Sequence, residues 1–442
     1  MQQRKIIKEY IGQIREESSE KLVCFAPVNA MHFSFNGKVY ACHNNNSFAY
    51  GDLRKQSLND IWQSQNRMNM VKQLQKYKMK SVGCSQCVHD IVQGNYNSVN
   101  ALRYEPYNEY HKLAKPSVLG FRFSDRCNIK CRMCLSNQNV RKCLASQSLV
   151  YDDSFFKDLE EYIPSVKYSY FLGGEPFFEP LNFKVFKLFK QLNPDCRISV
   201  QTNGTIFNDE IKSLLLEGKY DINVSIDSLK QDVFSSIRVG ADLSKVLNNS
   251  KQFLDICRKN GTEFSSCFTP MIDNCLELPS VIDYFSQVLK CRIWINKYYF
   301  PAQFAIWALS PDKIEEIYHS LAKFKPKGND EVSIYNALQF KDFLQVIIQY
   351  KAEAIERQNL KQNFSKLVKK QLDSLRKEIK RNSSLNYEDF TQKLDLFSYT
   401  PSKQTYYFLK KLLEIFSGDK LMENIIVLNE EFIMNDIGFL EC

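Results

Sequence analysis

Long hydrophobic runs are missing from this chain. Nowhere do about 18 apolar residues follow one another, the length a helix needs to cross a bilayer, so no membrane span is expected. The amino terminus, MQQRKIIKEYIGQIREES, has neither a continuous apolar stretch nor a small-residue cleavage site. It does not read as a secretory signal, and a cytoplasmic location is expected. No internal repeat or low-complexity tract occurs, so nothing points to a repeat array. Histidine is scarce, five in 442 residues. His32, His89, His111 and His319 share no metal-binding spacing and are assigned no role.

Cysteine, by contrast, is plentiful. In a reducing compartment the fourteen cysteines are not expected to form disulfides, and close pairs and triplets read instead as metal ligands. The chain is 44% hydrophobic and 13% aromatic, which suits a buried globular core, and its length favours two or three units. The net charge of +9 is uneven: residues 351–381 hold ten Lys or Arg against four Asp or Glu. A solvated helix face explains that excess more simply than a docking surface for an acidic partner. Nucleic acid is not expected as a partner.

Three regions separate by pattern. Residues 1–112 begin with a helical stripe (Ile6, Ile7, Tyr10, Ile11, Ile14). A hairpin, AMHFSFNGKVYAC, follows, with Asn36-Gly37 as a two-residue turn, then one helix over SLNDIWQSQNRMNMVKQLQ, then GCSQC. Residues 113–305 alternate strands (VLGFRFS, YSYFLGG, RISVQTNG, INVSIDS, FSSCFTP, CRIWINKYYF) with helical runs. This predicts an α/β core of parallel strands with crossover helices. Six strands give a partial (β/α)6 TIM-like barrel, in which the ends of the strands carry the site. Residues 306–442 read as a helical extension, with Leu360, Phe364, Leu367, Leu375 and Ile379 on one stripe.

The first central strand is followed by SDRCNIKCRMC, placing Cys127, Cys131 and Cys134 at C-x3-C-x2-C. Three thiolates on one loop hold three irons of a cubane and leave the fourth open to a small molecule, whereas four close the site. The alternative is a zinc site completed elsewhere, for instance by Cys143.

CNIKCRMC after a first strand resembles the cluster loop of the radical S-adenosylmethionine (SAM) enzymes, with Met133 in the bulky slot. Gly173-Gly174-Glu175-Pro176 is similar to that family's GGEP motif, whose backbone receives the SAM amino group. QTNGT (with Asn203) and VSIDS resemble the ends of the next two strands. The resemblance implies that Ser225 contacts the SAM ribose or carboxylate and that Arg238 clamps the carboxylate. FTPMIDNCLELPS resembles a later strand and helix, with Asn274 near its turn.

Cys24, Cys42, Cys84 and Cys87 resemble a twitch or SPASM auxiliary-cluster module placed before the barrel. Where members often have a further cysteine this chain has His43, so that residue is not a required ligand. Against the larger SPASM pattern too few cysteines match, so one auxiliary 4Fe-4S cluster is expected and not two. By spacing alone the four thiolates suit structural zinc equally. Full ligation favours electron transfer or bracing over substrate binding.

The resemblance implies reductive SAM cleavage to a 5′-deoxyadenosyl radical that abstracts hydrogen. It also implies an external reductant such as flavodoxin or ferredoxin, and a peptide or protein substrate with the auxiliary cluster as electron acceptor. A small-molecule carbinol or aminosugar dehydrogenase is the alternative. A non-catalytic zinc or iron–sulfur interaction protein is the third. No catalytic acid or base is named; Asp227, Glu175 and Tyr298 lie near strand ends.

Overall fold

The structure is a computed structural model. It describes residues 2–15, 22–45, 47–112, 114–134, 150–359, 364–382 and 403–416, with Leu394, Phe397 and Leu421. Cys143, Cys442 and Leu360 lie outside the described residues.

Among the described residues there are eleven short strands. They are β1 (Ala30–Ser34), β2 (Lys38–Tyr40), β3 (Gly51–Asp52), β4 (Val118–Arg122), β5 (Lys130–Cys131), β6 (Tyr168–Phe171), β7 (Arg197–Thr202), β8 (Lys219–Ser225), β9 (Arg238–Val239), β10 (Phe264–Phe268) and β11 (Arg292–Ile295). Some alternate in burial (β7, β8) and some are buried throughout (β1, β10). Nine form one sheet in the order β11-β10-β8-β7-β6-β4-β1-β2-β3, and β5 pairs with β9 alone. The six expected core strands β4, β6, β7, β8, β10 and β11 are all present and parallel. Helices such as Pro180–Leu192 and Leu243–Asn260 cross between them, giving the partial barrel.

The amino-terminal region is not a separate sheet. β1 pairs in parallel with β4 over five residues, from Ala30 opposite Val118 to Ser34 opposite Arg122, so the core sheet continues across residue 112 into the cysteine-rich segment. β2 and β3 extend it antiparallel. The hairpin loop is one residue longer than expected. Ser34 accepts from Gly37 N at 2.8 Å and Gly37 has φ +74°, so residues 35–37 form a three-residue loop with glycine in the left-handed position. The helix expected over 57–75 is two, Leu58–Trp62 and Gln65–Gln75. Ser64 stops the first and caps the second by accepting from Arg67 N, which satisfies a donor left free at a helix start.

Strand register sorts the side chains. One face carries Phe121, Phe171, Val200, Ile222, Val224 and Phe268, all buried, with the Phe171 ring centroid 4.4 Å from that of Phe186 on a crossover helix. The opposite face carries Tyr170, Ser199, Gln201, Asn223, Ser225 and Cys267, aligned across adjacent strands. Because side chains alternate faces, the same strands build an apolar shell outside and a polar lumen inside. Beyond the barrel, the described carboxyl-terminal residues form helices Pro311–Ala322, Glu331–Asn359, Phe364–Asn382 and Lys403–Ile415. Leu372, Leu375 and Ile379 are buried.

Candidate active site

Cys127, Cys131 and Cys134 sit on the loop leaving β4. Two contacts hold this loop at its start: Gly174 N donates to Ser124 O at 3.3 Å and Glu175 N to Arg126 O at 2.8 Å. A third holds its end, where β5 pairs with β9 and sets Cys131 opposite Arg238. The three cysteines lie close enough that charge on one opposes charge on another. Burial pushes the Cys131 thiol up to about 11, against the pull of Arg238, and raises Cys127 as well. Donors nevertheless converge on the sulfurs: Asn203 Nδ2 lies 3.6 Å from Cys127 Sγ and Arg238 Nη1 lies 3.7 Å from Cys131 Sγ. Such N–H groups stabilise metal-bound thiolates, so this donor set fits an iron–sulfur cluster.

Gly173 and Gly174 answer to a nearer neighbour than a ligand. Gly173 has φ +132°, and a Cβ there would lie 2.5 Å from Ser124 O. A Cβ on Gly174 would overlap the Arg126 carbonyl and come within 2.6 Å of the Asp125 carbonyl carbon. The two glycines therefore let the end of β6 press on the cluster loop itself. Glu175, expected at the cofactor, is 1% exposed and has no oxygen to spare. It accepts from Phe177 N at 3.1 Å, Thr202 Oγ1 at 2.7 Å and Asn203 N at 2.7 Å. It ties β6 to β7, and burial pushes its carboxyl up to about 7. Pro176 starts the buried turn that follows.

Arg238 also differs from expectation. Its Nε and Nη2 are 2.8 and 2.7 Å from Asp227 Oδ2, so the fork expected to clamp a SAM carboxylate is taken by a buried aspartate eleven residues earlier. Only Nη1 remains, on Cys131. Asp227 accepts in addition from Thr269 N at 2.8 Å, and Asn274 Nδ2 donates to Asp227 O at 2.8 Å. Asn203 belongs to a second network, donating to Asn128 Oδ1 at 2.9 Å and accepting from Thr205 N and Thr205 Oγ1. Ser225 lines the lumen beside Cys267, whose Sγ takes Asn296 Nδ2 at 2.7 Å.

The amino-terminal cysteines come together from four places in the chain. Cys24 precedes β1, Cys42 follows β2, Cys84 caps the helix Ser85–Val92, and Cys87 lies in its first turn. Their charges oppose one another: Cys42 acts on Cys24, and Cys24 and Cys42 act on both Cys84 and Cys87. Burial pushes Cys24 up to about 12 and raises Cys84 and Cys87 strongly. Ala26 N lies 3.4 Å from Cys24 Sγ and Asn45 Nδ2 lies 3.9 Å from Cys84 Sγ. Every described cysteine is free of disulfides. Among the described residues no three His, Cys, Asp or Glu converge tightly enough for a single ion.

A cavity of about 750 Å³ occupies the lumen. At one end it is lined by His43, Gln86, Arg103 and Tyr168, at the other by Thr269, Asn296 and Tyr298. The helix Glu331–Asn359 closes its side with Gln339, Asp342 and Phe343. Lys297 Nζ meets Asp90 Oδ1 at 3.2 Å inside it. Burial pushes Asp90 up to about 6, against the opposing pull of Lys297.

Comparison with known proteins agrees with this geometry. Residues 121–272 match the radical SAM superfamily, and residues 24–88 match SPASM, an iron–sulfur cluster-binding domain. Residues 121–272 form a radical SAM domain. The GTP 3′,8-cyclase of Clostridium botulinum strain Okra is 29% identical over 145 residues, covering 33% of this chain and 46% of that relative. The GTP 3′,8-cyclase of Streptomyces coelicolor is 29% identical over 116 residues, 26% of this chain and 34% of the relative. The chain thus spans less than half the length of these curated relatives. Among solved structures, "Native anSMEcpe with bound AdoMet" is similar at 20% identity and TM-score 0.35, over 47% of this chain and 60% of that one. Streptococcus suis SuiB bound to S-adenosylmethionine is similar at 13% identity and TM-score 0.33, over 54% and 50%.

Within this radical SAM protein, sequence patterning located both cysteine sets but not the cavity between them. Arg103 and the Asp90–Lys297 pair went unassigned. Asp90 lies three residues beyond Cys87, and that proximity was the available signal. Arg103 lies in the turn-rich stretch Asn100–Lys112, which has no periodicity to give its direction.

Proposed function

We propose that this radical SAM enzyme abstracts hydrogen from a peptide or protein substrate held in the lumen, with net oxidation. Cys127, Cys131 and Cys134 would hold the SAM-binding 4Fe-4S cluster, and Cys24, Cys42, Cys84 and Cys87 an auxiliary one. When bound, the first group with SAM supplies the 5′-deoxyadenosyl radical, and the second supplies an electron acceptor. The chain's own residues position and shield. Asn203 and Arg238 hold the cluster sulfurs, Glu175 and Asp227 brace the strand ends that carry them, and the outer shell of crossover helices keeps water from the lumen. An external reductant, a flavodoxin or ferredoxin, belongs to the same reading.

The observation that carries this proposal is the cavity lined by His43 and Gln86, sequence neighbours of Cys42 and Cys87, and by Thr269, Asn296 and Tyr298 beyond the carboxyl ends of β10 and β11. A substrate in it would face both. Its amide-rich lining (Gln86, Asn97, Asn100, Asn296, Gln339) offers paired donors and acceptors of the kind that peptide backbone needs.

The test is anaerobic incubation of reduced protein with SAM and a digest of cellular proteins. Formation of 5′-deoxyadenosine together with peptides lighter by two hydrogens is the expected result. 5′-Deoxyadenosine without altered peptides, but with oxidised polyols or aminosugars when these are supplied, would replace the peptide reading by the small-molecule one.

A further inference from the structure

The cavity holds four charged side chains, and three of them have polar partners. Asp90 and Lys297 neutralise each other. Asp342 Oδ2 accepts from Asn97 Nδ2 at 3.0 Å. Arg103 has no carboxylate partner among the described residues; its guanidinium lies over the Tyr170 ring, 4.9 Å from the centroid. A half-buried cation without a hydrogen-bonded anion is costly, and stacking on one ring, with the more distant pull of the Cys42 thiolate, offsets only part of that cost. Its five donors are left to whatever enters the cavity.

We infer that the cavity takes an elongated ligand with an anionic end, a carboxylate or a phosphate, seated against Arg103. This rests on the reading of the lumen as the substrate site, and adds the class of group that anchors there. A guanidinium fork matches both anions in a bidentate manner.

The placement within the barrel fixes the shape of the ligand. Tyr168 is the first and Tyr170, beneath Arg103, the third residue of β6, and Thr269 and Asn296 lie just past the ends of β10 and β11. The anchor thus lies within the span of β6, short of the carboxyl ends of the strands, the side from which the cluster loop leaves β4. The bound anion is therefore remote from the reacting carbon. It contributes affinity and register to the ligand, and takes no part in bond breaking.

The experiment measures anion binding to the anaerobically purified, iron-loaded protein by titration calorimetry, with inorganic phosphate and glutarate as probes. SAM is left out, so the result is independent of whether SAM is cleaved. The wild-type protein is expected to bind at least one probe, and the preferred one distinguishes a phosphate ester from a carboxylate. Arg103→Gln is expected to weaken that binding at least tenfold, the worth of a charged hydrogen bond, while Arg103→Lys loses only a few-fold. Asp342→Asn, which removes a like charge from the cavity, is expected to bind as well as the wild type or better. Iron content equal to that of the wild type shows that each variant is folded. Equal binding by Arg103→Gln and wild type would overturn the inference. So would a wild-type protein that binds neither probe, since Arg103 would then serve as counter-charge to the nearby Cys42 thiolate.

Discussion

Gly174→Ala is the smallest change that tests how the cluster loop is built. The added methyl would overlap the Arg126 carbonyl and stand 2.6 Å from the Asp125 carbonyl carbon, where real Cβ atoms come no nearer than 3.0 Å. Both neighbours are backbone, so no side chain can swing aside. The loop must retreat by more than 0.4 Å, the shortfall at Asp125 alone. Two hydrogen bonds cross this seam, Gly174 N to Ser124 O and Glu175 N to Arg126 O. Losing them costs about 1 kcal/mol each, and forcing in the methyl costs ~1–3 kcal/mol. Together the penalty is roughly 3–5 kcal/mol, concentrated on the residue directly before Cys127. The expected outcome is selective: iron falls from about eight to about four per chain and 5′-deoxyadenosine formation stops, while the amino-terminal set keeps its metal. Iron and sulfide assay, with chromatography of the SAM cleavage products, reads both. A Gly174→Ala protein with full iron and wild-type cleavage would refute the argument that these glycines exist for the loop.

Cys127→Ala should likewise abolish 5′-deoxyadenosine formation and leave about four irons. The double change Cys84→Ala and Cys87→Ala should lose the other four and keep SAM cleavage; substrate turnover unchanged by that loss would remove the auxiliary set from the reaction. Arg238→Ala leaves Asp227, fully buried, without its cation, and should destabilise the protein by about 3–5 kcal/mol in thermal unfolding. Arg238→Lys should recover part of this. Glu175 gives a pH signature. Its folded carboxyl near 7 lies above the ordinary 4.5, so between those values the folded protein keeps a proton that the unfolded chain has lost. Stability should therefore fall as pH rises from about 4.5 to about 7, by on the order of 3 kcal/mol. Glu175→Gln should flatten that slope in melting curves taken across the range.

Much of the barrel was legible because its strands are short apolar runs set between helical ones, and because GGEP and the cysteine triplet mark two strand ends. What local pattern does not encode is which strands become neighbours. AMHFS reads as a strand, but nothing in it says that its partner is VLGFR, 88 residues on. The same holds for side chains whose meaning depends on a distant group. Arg238 looks like a free guanidinium until Asp227 is seen to occupy it, and Glu175 looks like a ligand until three donors from the β6 turn and β7 are counted. The helix break at Ser64 was readable in principle, since serine before a helical run is a cap signal.

The pairing of β1 with β4 has a consequence for how the two cysteine sets relate. β1 runs parallel to the core strands, so its start faces their amino ends, and β2 returns antiparallel to that same end. Cys24 lies before β1 and Cys42 just after β2, which puts both at the amino end of the sheet. Cys127 follows β4 and lies at the carboxyl end. The two sets therefore stand at opposite mouths of one lumen, held at that separation by continuous backbone hydrogen bonding and not by a flexible linker. Arg103 lines the cavity and feels the charge of Cys42, so this side chain links the amino-terminal cysteines to the lumen. A deletion within residues 35–37 that shifts β2 against β1 should accordingly change the coupling between the ends while leaving SAM cleavage at the far one intact.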